Sequence, residues 1–377
     1  MIPEFPNDRD YFYDEDDQIY QVLGYVHPRD TLYCLQKYEK TIEDQNIFFW
    51  KSDITHHSYK RLITQYSSST AASIIESHPY REHSELYGSD FIQYPKNKIK
   101  FYLSPRKKLE QLIDTPKSKF HSLAEQEKLA VEIAHVFENE LNIPLRDMGI
   151  TGSILWGGIH KHSDIDLIIY GKSNLMAFLY NIHRLVNVHS QLRTPTLMEN
   201  VSNAHKFSQK SGMSIEDCTV FITNKPFLLF FSKFYLSMAF NPSEQEIQNN
   251  TLALDSTYFI NVPEYSRMVI QATVVNDDWL YYYPGVVYLD DVHFVGLVQG
   301  KVSSSNLCRA LIFEHENIGY YKRGNRIEIC GLLQQIQNPP HDIVARYSGK
   351  NPSSPFFQLV IGTRENYGNE YVKNLEM

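Results

Sequence analysis

Two carboxylates one residue apart, Asp164 and Asp166, begin the run Asp164-Ile165-Asp166-Leu167-Ile168-Ile169. In an extended strand alternate side chains share a face, which puts both acids on one side with α-carbons roughly 6.6 Å apart. Anions that close repel one another. A hard divalent cation relieves the repulsion, because Mg2+ (or Mn2+) takes one or two carboxylates together with phosphate oxygens and water. Asp164 and Asp166 are therefore the expected metal ligands and catalytic pair. Upstream lies Gly152-Ser153, with ten residues between Ser153 and Asp164, enough for a turn, a short helix and a return loop. A glycine lets the backbone approach a phosphate closely, and a serine at a helix start adds a hydroxyl to the backbone N–H donors. Gly152, Ser153 and, beside the acids, Ser163 are the expected nucleotide-binding residues.

Such a pair needs rigid elements behind it. The clearest helix follows Ser122, which with Glu125 has the spacing of a capping box, and Leu129, Ile133, Val136, Phe137 and Leu141 then recur at helical intervals. Asn142 to Pro144 ends that helix, a short strand reaches Ile150, and a second strand runs from Asp164 to Tyr170. The order is helix, strand, tight turn, short helix, strand.

Before this region, Ile19 to Val26 and Thr31 to Tyr38 read as strands joined by His27-Pro28-Arg29-Asp30, Ser58 to Ser77 reads as helical, and Asp90 to Leu103 is extended again. After Val262, Met268 to Val275, Gly285 to Leu289, Cys308 to Glu314, Arg326 to Leu333 and Phe357 to Ile361 read as a series of strands, the pattern of a small barrel. These patterns predict an α+β protein in three parts: a β-rich module over 1–104, a central mixed sheet with helices over 105–262, and a small β-barrel over 263–377.

Composition agrees with a globular chain. Of 377 residues, 42% are hydrophobic and 21% charged, and the 26 Tyr and 21 Phe fit strand-rich architecture. The four cysteines, Cys34, Cys218, Cys308 and Cys330, are far apart with no leader before them, which favours a reducing cytoplasm. The most apolar run, Pro226 to Phe240, is interrupted by Lys233 and falls short of the roughly 20 residues of a spanning helix, so no membrane is expected. A net charge of -8 argues against general affinity for nucleic acid.

The Gly152-Ser153 turn followed by Asp164-Ile165-Asp166 resembles the nucleotidyltransferases of the DNA polymerase beta superfamily. The resemblance implies that two metal ions align an acceptor hydroxyl with the α-phosphate of a nucleoside triphosphate and that pyrophosphate leaves. It places Ser153 at the β and γ phosphates and the metals on Asp164 and Asp166. Over most of its length the chain is similar to an uncharacterised archaeal group that pairs such a domain with flanking β-rich regions, through Gly24-Tyr25-Val26-His27-Pro28, Met148 to Gly171, and Leu359 to Gly368. The acceptor is left open between RNA, a protein side chain and a small molecule.

One part of the pattern departs. The superfamily supplies a third carboxylate from a later strand, yet Phe230 to Met238 contains no acid, and Tyr235 stands at the expected position, with Asp217 or Glu216 substituting only if the strand order differs. A catalytically degenerate nucleotide- or nucleic-acid-binding protein is therefore the alternative to a working transferase. His160-Lys161-His162-Ser163-Asp164 also resembles the metal motif of metallo-β-lactamase-fold hydrolases, but Ile165 replaces its last His, and the two histidines are expected in a solvated loop. Lys322, Arg323 and Arg326 beside Tyr320-Tyr321, and Trp279 beside Tyr281 to Tyr283, mix cations and aromatics as single-strand platforms do, though barrel turns are the stronger reading.

Overall fold

A computed structural model describes residues 2–42, 50–63, 68–249, 258–262, 265, 267–296, 302–314, 317–319, 321–339, 343–344, 347, 355–363, 366 and 368–376. Tyr320, Arg364, Glu365, Tyr367 and positions 64–67 lie outside them. The chain falls into two compact units. One comprises Met1–Thr64, Ile92–Pro195 and Pro226–Gln248, and the other Gln65–Phe91, Thr196–Lys225 and Asn249–Met377.

The first third of the chain holds β1 (Tyr11–Asp14), β2 (Ile19–Val22), β3 (Thr31–Thr41), β4 (Trp50–Lys51), β5 (Ser58–Arg61), α1 (Ser68–Ser77), β6 (Arg81–Ser84), β7 (Ser89–Pro95) and β8 (Ile99–Leu103). In the first unit a curled sheet runs β4-β5-β3-β2-β1-β8. The length of β3 makes the curl possible. Its start pairs with β7 from Thr31↔Pro95 to Cys34↔Ile92, its end pairs with β5 from Tyr38↔Arg61 to Thr41↔Ser58, and β2 lies along its other edge. The expected helix over Ser58 to Ser77 is corrected here. Its first residues form β5, because pairing with β3 outweighs local propensity, and only α1 is helical among the described residues of that stretch.

The middle of the chain holds α2 (Pro105–Ile113), α3 (Lys117–Phe120), α4 (Glu125–Leu141), β9 (Met148–Ile150), α5 (Gly152–Trp156), β10 (Ile165–Tyr170), α6 (Lys172–Val188), β11 (Leu192–Arg193), α7 (Leu197–Ser208), α8 (Ile215–Thr223), β12 (Leu228–Phe231), β13 (Phe234–Asn241) and α9 (Glu244–Gln248). A mixed sheet of order β11-β12-β13-β10-β9 results, with β10 and β13 parallel and the other neighbours antiparallel. Helices α4 and α6 pack together through Phe137 and Phe178, whose rings lie 5.6 Å apart, and Phe178 reaches Phe240 of β13 at 5.5 Å. Two sequence expectations change. The cap of α4 is Ala124, whose N–H donates to Glu127, because the Ser122 hydroxyl donates to the Lys119 carbonyl of the preceding turn instead. The apolar stretch from Phe230 to Met238 is not one strand: it turns at Ser232, which has positive φ, into the β12–β13 hairpin.

The second unit contains β14 (Tyr258–Asn261), β15 (Met268–Trp279), β16 (Gly285–Phe294), β17 (Leu307–Ile312), β18 (Arg326–Gln337), β19 (Phe356–Ile361) and β20 (Tyr371–Asn374). Pairings β15–β16, β16–β17, β17–β19, β19–β18 and β18–β15 close a five-stranded barrel, while β14 and β20 add to β18. The alternating residues Ile270, Ala272 and Val274, Ile327 and Ile329, and Leu359 and Ile361 fill its core. The Trp279 cluster is a barrel turn, with Tyr282 buried and its ring 5.3 Å from Trp279. Lys322 to Asn325 form a hairpin turn tied by Gly324 N–H to the Val274 carbonyl, and Arg326 pairs with Asp291 at 2.9 Å. No described helix is long and apolar enough to cross a membrane.

Candidate active site

The central sheet brings together the residues singled out by spacing. Thr151, the residue before the Gly-Ser pair, donates its backbone N–H to the Asp166 carbonyl at 3.0 Å, which fixes the end of β9 against the start of β10. Gly152 then turns with φ of 63°, and a Cβ there would overlap the Asp166 carboxylate. Glycine is required twice over, by its left-handed backbone and by the close approach of that carboxylate. Asp166 is the second residue of β10 and Asp164 comes just before the strand, close enough for the two carboxylates to repel, and neither accepts a hydrogen bond from another described residue.

Their electrostatics follow from this crowding. Asp164 is exposed, yet displacement of water around its carboxylate and then repulsion from Asp166 raise its pKa to about 6, while Arg61 of β5 acts in the opposite direction. Such a pair favours a proton or an added cation. The donor set, two acids and the nearby Ser153, fits a divalent ion that completes its shell with phosphate oxygens and water. Among the described residues no group of three or more His, Cys, Asp or Glu is arranged to hold a metal.

The parallel register shows which residues of β13 lie beside the acids. Asp166 pairs with Ser237 and Ile165 with Leu236, so the acid face of β13 carries Ser237 and, one alternation earlier, Tyr235. Tyr235 packs edge-on against Phe230 at 5.5 Å. Asp217 lies on α8 in the second unit, where its carboxylate is paired with Lys373 at 2.8 Å, and Glu216 is in the first turn of the same helix.

The other expected residues are placed more loosely. Ser153 is the second residue of α5, which has only five residues, so the dipole of a long helix is not available to it. Its hydroxyl is the relevant group. Ser163 is buried and its Oγ accepts the His160 N–H at 3.0 Å, closing the return loop. His160 does not lie in open solvent as expected. Its ring is 5.8 Å from that of Trp50, its Nδ1 accepts the His162 N–H, and burial, followed by the charges of His162 and Arg61, lowers its pKa.

Missed by sequence reasoning is the part played by the N-terminal sheet. Trp156, fully buried at the end of α5, lies among the rings of Tyr38 (4.7 Å) and Tyr59 (5.7 Å) in one core with Tyr11, Tyr13 and Ile19. Its carbonyl accepts from the hydroxyls of Tyr13 at 2.9 Å and Ser52 at 3.1 Å, and Asp53 N–H bonds the Gly157 carbonyl at 2.8 Å. A Cβ on Gly158 would fall inside the Trp156 ring. The sheet therefore buttresses the Gly-Ser element directly. The available signal was Trp156 itself, an aromatic too large to stay exposed on a four-residue link between two glycines.

No family model, curated protein or solved structure matches this chain.

Proposed function

We propose that the chain is a Mg2+- or Mn2+-dependent nucleotidyltransferase that moves a nucleoside monophosphate from a nucleoside triphosphate to a hydroxyl. The observation behind this reading is the Asp166 carboxylate seated against the α-carbon of Gly152 and close enough to Asp164 to repel it, with neither acid hydrogen-bonded or ion-paired by another described residue. Asp164 and Asp166 would hold the metal, which when bound supplies positive charge to the phosphates. The Ser153 hydroxyl donates to a phosphate oxygen, Gly152 leaves room for it, and the Arg61 cation adds to the field on the same side. The acceptor oxygen bonds to the α-phosphorus, the bond to the bridging oxygen breaks, pyrophosphate leaves, and the acceptor proton passes to solvent.

The barrel, with Lys322, Arg323 and Arg326 at one turn, serves acceptor recognition in this reading, RNA being the polymeric candidate beside protein and small-molecule hydroxyls. A second reading, nucleotide binding without transfer, is favoured by one observation: Tyr235 and Ser237 occupy the face of β13 beside the acids, and hydroxyls are poorer Mg2+ ligands than carboxylates. Pyrophosphate release from α-labelled triphosphates, with each acceptor class offered in turn, separates them. Metal-dependent release by the wild type and none by an Asp164→Asn, Asp166→Asn double variant supports transfer. Triphosphate binding without release for any acceptor class supports the second reading.

A further inference from the structure

The barrel wall buries a charge that its own residues leave uncompensated. Arg309 of β17 has no exposed surface, and a guanidinium remains protonated at any pH a protein tolerates. Its Nε donates to Gln358 Oε1 at 2.8 Å, while Nη1 and Nη2 have no hydrogen-bond partner among the described residues. The partners it does have are neutral. Gln358 Nε2 donates to Gln334 Oε1 at 2.8 Å, and Gln334 Nε2 donates to Asn261 Oδ1 at 2.8 Å and to the Tyr87 carbonyl at 3.2 Å.

This row of amides has a direction. The last amide ends on oxygens that can only accept or are already accepting, so each amide upstream must turn its oxygen toward Arg309. The row fixes the guanidinium in place and supplies no negative charge. The Phe259 ring lies 5.4 Å from the guanidinium carbon, a cation–π contact that offers a ring face but no anionic oxygen to the two terminal nitrogens. The register puts Arg309 opposite Tyr288 and Gln358 on the outer side of the barrel strands, whereas neighbouring Ala310 and its partner Leu359 belong to the interior core.

We propose that Arg309, oriented by Gln358 and Gln334, is the anchor of an anion site in the barrel wall that takes a small oxyanion of the phosphate or carboxylate type. With Nε engaged, Nη1 and Nη2 present the end-on fork of the guanidinium, whose two parallel N–H groups match two oxygens of one ligand. A spherical halide cannot bridge the fork in that way. The burial of both nitrogens requires an ion small enough to be enclosed with them.

The test uses the full chain. Inorganic phosphate, acetate and chloride are compared at constant ionic strength, with the thermal midpoint as readout and calorimetric titration of phosphate or acetate into the wild type as a direct measure. Saturable binding at millimolar concentration, with a midpoint that rises by several degrees and levels off, is expected of the wild type. The more stabilising of phosphate and acetate identifies the ligand type. Arg309→Met should be insensitive to either ion, and Arg309→Lys, which keeps the charge without the fork, should bind at least tenfold more weakly. No saturable binding to the wild type by calorimetry overturns the proposal whatever the variants do. An equal response in wild type and Arg309→Met overturns it as well.

Discussion

Strand β10 carries carboxylate chemistry at both ends, and the ends treat it in opposite ways. At its far end Tyr170 pairs with Asn241, whose amide donates to the Asp8 carbonyl at 2.7 Å, and Arg106 stacks on the Tyr170 ring at 3.9 Å. Around them two buried acids are furnished with internal donors: Asp8 accepts the Gly24 N–H at 3.1 Å, and Asp10 accepts the Asn7 N–H at 3.1 Å and the Tyr102 hydroxyl. At the near end Asp164 and Asp166 receive no such donors from the described residues, only each other and the bare α-carbon of Gly152. Acids that the fold satisfies from within belong to the fold. Acids set side by side and left unsatisfied are available to an outside cation.

The largest effect should come from removing what holds the near end in place. Trp156→Ala deletes a fully buried indole shared by the N-terminal sheet and α5, and should destabilise by about 3–5 kcal/mol in denaturant unfolding. A loss below about 1 kcal/mol would mean that the sheet does not support the Gly-Ser element. Gly152→Ala should follow, since the strain of a left-handed backbone, about 1–2 kcal/mol, adds to overlap with Asp166. Triphosphate affinity in Mg2+ should fall by about tenfold or more, equivalent to about 1.4 kcal/mol. Unchanged affinity would remove the close approach from the account.

The far end predicts a pH effect whose sign is fixed. Burial, more than any other cause, raises the pKa of Asp10 to about 7 and that of Asp8 to about 6, from the 3.8 of an ordinary aspartate. The folded protein then holds more protons than the unfolded chain between about pH 4 and pH 7. The contribution of Asp8 and Asp10 to stability is therefore greatest at the acid side of that window, falls as pH rises, and levels off above 7, with Asp10 contributing a slope of at most about 1.4 kcal/mol per pH unit. Asp10→Asn should flatten the profile between pH 6 and 7 and keep the shallower slope of Asp8 below it. An unchanged profile between pH 6 and 7 would show that Asp10 does not titrate there.

Much of this arrangement could be read from residue types. Alternation gave away β10 and the barrel strands, and Gly152-Ser153 with Asp164-Ile165-Asp166 pointed to one place on one sheet. What escaped depended on partners distant in sequence. Ser58 to Arg61 become a strand because β3 is long enough to accept them, and the Phe230 to Met238 stretch hides a hairpin because its turn residues, Ser232 and Lys233, carry no glycine or proline. Arg309 did leave a trace, a single charge in the otherwise apolar run Leu307-Cys308-Arg309-Ala310-Leu311-Ile312, but nothing local shows that the side chain bonded to it from the next strand is the amide of Gln358 and not an acid.

The central claim is that Asp164 and Asp166 jointly hold a divalent cation together with a nucleoside triphosphate. Isothermal calorimetry of a non-hydrolysable triphosphate, with and without Mg2+, on the wild type and the Asp164→Asn, Asp166→Asn double variant addresses it most directly. The wild type should bind at least tenfold more tightly with Mg2+ than without, and the double variant should lose that dependence while retaining its fold by circular dichroism. The same metal-dependent affinity in both proteins would contradict the account.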